Sequence, residues 1–347
     1  MEKIKEKRKK GFFEWFKYKW TGNLLFSTGI ALIIMIILQT ITLGFDFESF
    51  GAWFSTWISN WINILRNNAG IGIIALGMTF VIISGGIDLA VGSTLVATGA
   101  VLMMLIDTGA SGILVGMGIT GLSAYIIAIA ISLLFGTVLG LFIGLLVTKG
   151  KTPPFIATLG AMKIFRSVTQ HFMQGYNPKV PKEFLQLSSF AIGGVMLMPI
   201  VYLIIIAFIL NYVSKRRVFG RQVIAVGSNE RAAKLSGISI SKVKIKVYAL
   251  MGFLVSIAAI IQVSRIGSMD FANAGSGNEM DAIAAVVVGG TSMSGGKGAI
   301  IGTVFGVLII AVMNNLLNLF GVPPFLREAF KGLIVVSAVL LQKKEKV

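Results

Sequence analysis

Residues 201–210 read VYLIIIAFIL, ten consecutive apolar or aromatic side chains with no alternation of polarity. A membrane-spanning β-strand would alternate lipid-facing apolar with lumen-facing polar residues, and this run does not. A helix satisfies its own backbone polar groups in hydrocarbon, so the stretch reads as part of a transmembrane helix. Similar runs recur along the chain, several near the ~20 residues that cross ~30 Å of hydrocarbon at ~1.5 Å per residue. Ten apolar segments are expected, at about 24–43, 66–84, 93–108, 117–147, 152–172, 193–213, 245–265, 278–292, 299–318 and 325–342. Some are shorter than a full span, which predicts half-helices or re-entrant pieces lined by protein or by a watery path. The expected fold class is all-α: a polytopic transmembrane helical bundle of about ten spans.

Composition agrees. Of 347 residues, 55% are hydrophobic and 13% charged, with a mean hydropathy of +0.86. A soluble domain carries roughly a quarter charged residues, so lipid must solvate much of this exterior. The net charge of +17 would suggest nucleic acid in a soluble protein, but its placement excludes that partner. Lys and Arg crowd residues 1–20, the stretch 215–246 and the end at Lys343, Lys344 and Lys346, all outside the apolar runs. The positive-inside bias then puts both termini, Lys149/Lys151, Lys297 and the 214–244 loop in the cytoplasm, with Asp46, Glu48 and Asp270 outside. Lys179 and Lys182 run against that asymmetry. The expected layout is a basic cytoplasmic tail at 1–23, a membrane domain at 24–342 and a cytoplasmic tail at 343–347. With no cysteine and one histidine, His171, neither a disulfide nor a Cys- or His-rich metal site is expected. Residues 24–43 are long for a signal-peptide core and no A-x-A site follows, so they read as a retained first span.

Within 44–65, Trp53, Trp57 and Trp61 recur every fourth residue, which suits either an external interfacial helix or a packing stripe. Gly136, Gly140 and Gly144, and likewise Gly298, Gly302 and Gly306, recur every fourth residue. On a helix that spacing makes a side-chain-free groove for close helix approach, whether static or sliding. Gly85-Gly86 precedes Gly92 as Gly289-Gly290 precedes Gly296, and Pro-Pro-Phe occurs at 153–155 and 323–325. No single inverted repeat relates both pairs.

No catalytic constellation is legible. GGTSMSGGKG at 289–298 resembles a phosphate loop, but Thr291 replaces the first glycine and Gly298 stands where Ser or Thr should bind Mg²⁺. The chain is therefore not expected to hydrolyse ATP itself, and no cofactor is expected. Polar groups in apolar surroundings are functional candidates in membranes. Asp88, with Ser84 in SGGIDLAVGS, is expected to cap the next helix or fix the turn, or else to line the translocation path. Ser276 and Glu279 have capping-box spacing, with Asp281 on the same helix. Asn314 and Asn318 share one face, as interhelical hydrogen-bonding groups or solute ligands. In the 214–244 loop, Ser228 can cap a short helix running through Asn229, Glu230, Arg231, Ala232, Ala233, Lys234, Leu235 and Ser236 to Gly237. A helix of about two turns is unstable alone and should dock against something.

Five stretches together resemble one family: GMTFVIISGGIDLAVGS at 77–93, FIATLG at 155–160, GRQVIAVGSNERAAKLSGI at 220–238, GSGNEMDAIAAVVVGGTSMSGG at 275–296 and NNLLNLFG at 314–321. The chain is similar over about 65–341 to the ribose-type permeases of bacterial binding-protein-dependent ABC importers. The resemblance implies a monosaccharide permease in the bacterial cytoplasmic membrane, working as a homodimer or close heterodimer. It further implies a cytoplasmic ATPase pair and an extracytoplasmic solute-binding protein as partners. Residues 228–237 would be the coupling helix held by the ATPase. Nucleosides or another small polar solute are the alternative cargo. An ion-coupled secondary transporter is the rival class, for which only Asp88, Glu279 and Asp281 stand out as carboxylates.

Overall fold

A computed structural model of the chain describes residues 24–44, 48–109, 111–192 and 195–344. The basic tail at 1–23, Asp46 and the last residues 345–347 lie outside them. The structure is helical apart from one short hairpin, as the sequence predicts. Helices α1 (Leu24–Leu43), α2 (Phe50–Ile83) and α3 (Val91–Ile106) open the bundle, followed by a single turn α4 (Ile113–Gly116). Then come α5 (Gly121–Thr148), α6 (Pro154–Met173) and α7 (Lys182–Ser189), and a two-stranded hairpin pairing Ala191–Ile192 (β1) with Val195–Met196 (β2). The chain continues through α8 (Met198–Arg216), α9 (Val218–Ser228), α10 (Glu230–Leu235) and α11 (Ile240–Ile266). It ends with α12 (Asn278–Val288), α13 (Ile300–Leu319) and α14 (Pro324–Lys344).

Five of these helices are long and apolar enough to cross a membrane: α2, α5, α8, α11 and α13. They divide into two layers. In their most apolar windows α2 and α11 are 72% buried and α13 is 61% buried, whereas α5 is 28% and α8 is 22% buried. The first three form the centre and the other two face lipid, with Leu122, Leu134, Ile204 and Phe208 bare. On α5 the buried residues are Ile143 and a stripe of small ones, Ala124, Ala128, Ser132, Gly136, Gly140 and Gly144, at every fourth position on one face. The opposite face is largely apolar and exposed, with Leu122, Ile126, Leu134 and Val138 bare, as expected for a helix with lipid on its outer side.

Several expectations need correction. The 45–65 segment is not a separate interfacial helix. Ser49 caps α2 by accepting from the Ala52 amide at 3.2 Å, and one 34-residue helix runs from Phe50 to Ile83. At ~1.5 Å per residue it is about 50 Å long, well beyond the ~30 Å of hydrocarbon. The indoles turn back onto α1: Trp53 Nε1 donates to the Gly44 carbonyl at 2.9 Å and Trp57 Nε1 to Thr40 Oγ1 at 3.0 Å. Phe50 and Phe54 occupy the exposed face instead. The segment expected at 193–213 starts late, at Met198, because β1 and β2 turn the chain first. The 214–244 loop contains two helices, α9 and α10, where one was expected. Gly298 precedes α13, so the second glycine ladder is not one helical groove. The turns at Gly85-Gly86 and Gly289-Gly290 close their helices alike but one residue out of register with the echo, Gly85 matching Gly290. The Gly85 and Gly290 amides reach back three residues, to Ile82 and Val287, and the Gly86 and Thr291 amides five, to Val81 and Val286.

Candidate functional site

The 217–239 segment forms an elbow. Asn229, not Ser228, caps α10: its Oδ1 accepts from the Ala232 amide at 3.0 Å. Ser228 closes α9, its hydroxyl donating to the Ile224 carbonyl at 2.8 Å. Asn229 is better placed because the extended backbone at the joint (φ −161°) aims its side chain at the next turn. Glu230, half exposed, pairs with Lys244 of α11 at 2.5 Å. Ala233 is 3% exposed, its carbonyl accepting from the Ile238 amide, while Leu235 is 91% exposed. Ala232 also faces out, so the outward apolar face is Ala232 and Leu235 alone. Gly237, at φ +78°, ends the unit.

The elbow rests on one backbone carbonyl. Ile83 O, at the end of α2, accepts from the Gly296 amide at 2.9 Å. A side chain at Gly227 would collide with that same oxygen, and a Cβ at Gly295 would lie 2.9 Å from Gly227 O and 3.2 Å from Ile83 O. Gly295 and Gly296 have φ of +80° and +72°, a region that favours glycine. The 289–298 stretch is thus a turn shaped to hold the α9–α10 joint against α2, which accounts for its glycines better than a phosphate would.

A second polar region lies where α12 begins. Ser276 does not cap it: Gly277 occupies that position with φ +83° and no side-chain bond. The capping-box spacing fails because the helix starts one residue later, with left-handed Gly277 at the cap position. Glu279 and Asp281 are in the first turn, where carboxylates favour the helix dipole. Asp281 is 5% exposed and meets Lys331 of α14, whose ammonium is 2.9 Å from Asp281 Oδ1 and donates to Glu328 at 2.9 Å. Sequence reading overlooked Lys331 because it sits inside the last apolar run; an ionisable residue there was the available signal. Arg166 of α6 donates to the Ala274 carbonyl at 2.7 Å, pinning the loop before α12. Gly92 and Gly275 approach backbone to backbone, which brings the Asp88 turn beside this loop. Asp88 is 3% exposed and accepts from the Ala90 amide at 2.9 Å, fixing its turn without capping α3. Ser84 bonds the Val81 carbonyl at 2.7 Å at the end of α2.

Asn314 and Asn318 do not act together. Asn314 Oδ1 is buried without a partner and Asn318 is exposed, while the neighbouring Asn315 reaches Asn60 at 3.4 Å. Opposite the elbow, Asp107 at the end of α3 accepts from Tyr176 Oη at 2.6 Å and from the Gly109 and Lys179 amides at 2.8 Å. Burial pushes the Asp107 carboxyl up, but these hydrogen bonds and the Lys179 charge outweigh it and hold the group below its ordinary value. Burial and the Asp107 carboxylate push the Tyr176 phenol well up. Lys179, which ran against the charge asymmetry, has its backbone amide bonded to Asp107 and its charge near that carboxylate.

The fold is a polytopic helical bundle with five helices able to cross a membrane, a buried Asp281–Lys331 ion pair and a basic elbow. The chain belongs to the family described as "Branched-chain amino acid transport system / permease component", which matches residues 60–339. It is 42% identical to the ribose import permease protein RbsC of Bacillus subtilis, over 82% of this chain and 84% of that protein. It is 39% identical to RbsC of Escherichia coli K12, over 91% and 92%, and 32% identical to the xylose transport system permease protein XylH of Haemophilus influenzae, over 92% and 98%. No solved structure matches it. Permease components of such importers work with an ATP-hydrolysing subunit and a solute-binding protein, and are not themselves enzymes.

Proposed function

We propose that this chain is the permease subunit of an ABC importer that moves a monosaccharide across the bacterial cytoplasmic membrane by alternating access. The identity to ribose import permeases over more than four-fifths of both chains carries this reading. The family description names branched-chain amino acids, but these three relatives are named for ribose and xylose. The permease pairs with a second copy or a close homologue, with the solute passing between the two, and cytoplasmic termini and elbow match the basic residues. Uptake of labelled ribose, xylose and leucine into cells lacking their own importers, with the partner subunits co-expressed, decides the cargo. Leucine uptake without pentose uptake would overturn the sugar reading.

Residues 228–237 form the coupling unit. Leu235, bare on a short capped helix in a basic segment, supports this: a leucine left uncovered by the described residues suits a partner's pocket. Because Ala233 packs inward, Leu235 is the residue to alter. Leu235→Glu is expected to leave insertion and thermal stability unchanged, while transport and transport-stimulated ATP hydrolysis fall together about tenfold or more, as for an interface hot spot. Normal, fully coupled transport in that variant would remove the elbow from the coupling path.

A further inference from the structure

We propose that the trough between α8 and α11 is a binding site for an anionic phospholipid, whose headgroup is held by Arg216, Arg217, Lys242 and Lys246. Helices α8 and α11 each pack on α2 and not closely on one another. A cavity of about 520 Å³ lies between them. One wall is the α8 stripe Ile206, Ile209 and Val213, and the other is the α11 stripe Lys246, Leu250, Phe253 and Ile257. Both run at three- and four-residue spacing, so each is a single helical face.

Followed towards the elbow, both stripes change from apolar to basic at the same end. The α8 face reaches Arg216 and Arg217 one turn beyond Val213, and the α11 face reaches Lys242 one turn before Lys246. All four are exposed, and none forms an ion pair among the described residues. Arg217 lies over the Tyr212 ring at 5.2 Å, which keeps one guanidinium beside α8. Hydrocarbon gives no hydrophobic drive for a particular tail to enter an apolar trough, since neighbouring tails are as apolar. Selection must come from charge at the mouth. Basic residues between helices on the cytoplasmic side attract anionic headgroups, and the positive-inside bias places this mouth on that side. A second copy of the chain fits less well: the only carboxylate in its 214–246 segment is Glu230, which already binds Lys244.

Native mass spectrometry of the purified full chain, titrated with phosphatidylglycerol and phosphatidylcholine of identical tails, tests the site. Phosphatidylglycerol should be retained in preference. Removing Lys242 and Lys246 together as alanines should weaken it about 25-fold, about fivefold per charge near the surface, and Lys246→Arg should not. Ile209→Trp, at a half-exposed position of the trough, should weaken the lipid with all four charges kept. Equal retention of the two lipids, no effect of the double alanine variant, or displacement by inorganic phosphate would each overturn the proposal. So would an intermolecular disulfide through Phe253→Cys, which would make the trough a contact between chains.

Discussion

Two regions of this molecule depend on glycine to bring backbones together, and they do so for different ends. Along the seam between α5 and α11, Gly136, Gly140 and Gly144 meet one helix on three successive turns. A Cβ at Gly136 would lie 3.0 Å from the Gly252 carbonyl and one at Gly144 3.0 Å from Ile245 Cα, while one at Gly140 would strike the Tyr248 carbonyl. At the elbow, Gly227, Gly295 and Gly296 come from two connecting segments and converge on the Ile83 carbonyl. The seam is a continuous helix-on-helix contact whose loss removes packing along the bundle. The elbow is a joint of a few contacts between the ends of several elements, so its loss should change how motion passes before it changes whether the chain folds. A side-chain-free face between rigid helices fixes them; the same chemistry at a hinge of short elements leaves a small number of replaceable contacts.

The largest expected effect is at the seam. Gly140→Val places a branched side chain against a backbone carbonyl that cannot withdraw, at a cost of about 3 kcal/mol or more. Folded protein recovered by size exclusion should drop sharply. Gly227→Ala comes next: its Cβ would meet the Ile83 carbonyl, so it should lose some thermal stability, less than Gly140→Val because the short elements of the elbow can shift. Transport and stimulated ATPase activity should fall together roughly tenfold in proteoliposomes with its partner subunits. The contrast breaks if Gly227→Ala unfolds as badly as Gly140→Val, or if it transports normally.

The smallest effect belongs to the clasp opposite the elbow. Asp107→Asn loses charge-assisted hydrogen bonds to Tyr176 and to the Gly109 and Lys179 amides, about 2 kcal/mol. The folded carboxyl is held below its ordinary value. Its stabilising contribution is therefore fully present above the unfolded carboxylate range near ~4 and is lost as pH falls through the lower folded value. The wild-type chain should lose thermal stability on acidification below that range more steeply than Asp107→Asn. Equal acid slopes would show that Asp107 does not tie α3 to the 174–181 segment.

The membrane class was legible because hydrocarbon imposes two requirements that any sequence must show, long apolar runs and internally satisfied backbones. Residues 24–43 appear as a helix with those bounds, and the 299–318 segment shifts by one residue. Capping was read less well. Ser228 and Ser276 have the right residue type and spacing, but a cap needs a side chain aimed at the next turn. The extended backbone at Asn229 and the left-handed one at Gly277 decided that, and spacing does not encode it.

By itself the sequence determined the all-α membrane fold, the basic elbow and the family, because composition, charge placement and motifs are properties of the linear chain. Only the tertiary structure decided that Glu230 pairs with Lys244 while Leu235 is left bare, that the tryptophans pack on α1, that Lys331 meets Asp281, and that the 289–298 glycines clasp Ile83. Each of those depends on which element lies beside which, and residues on different elements carry no local mark of the neighbour they will meet.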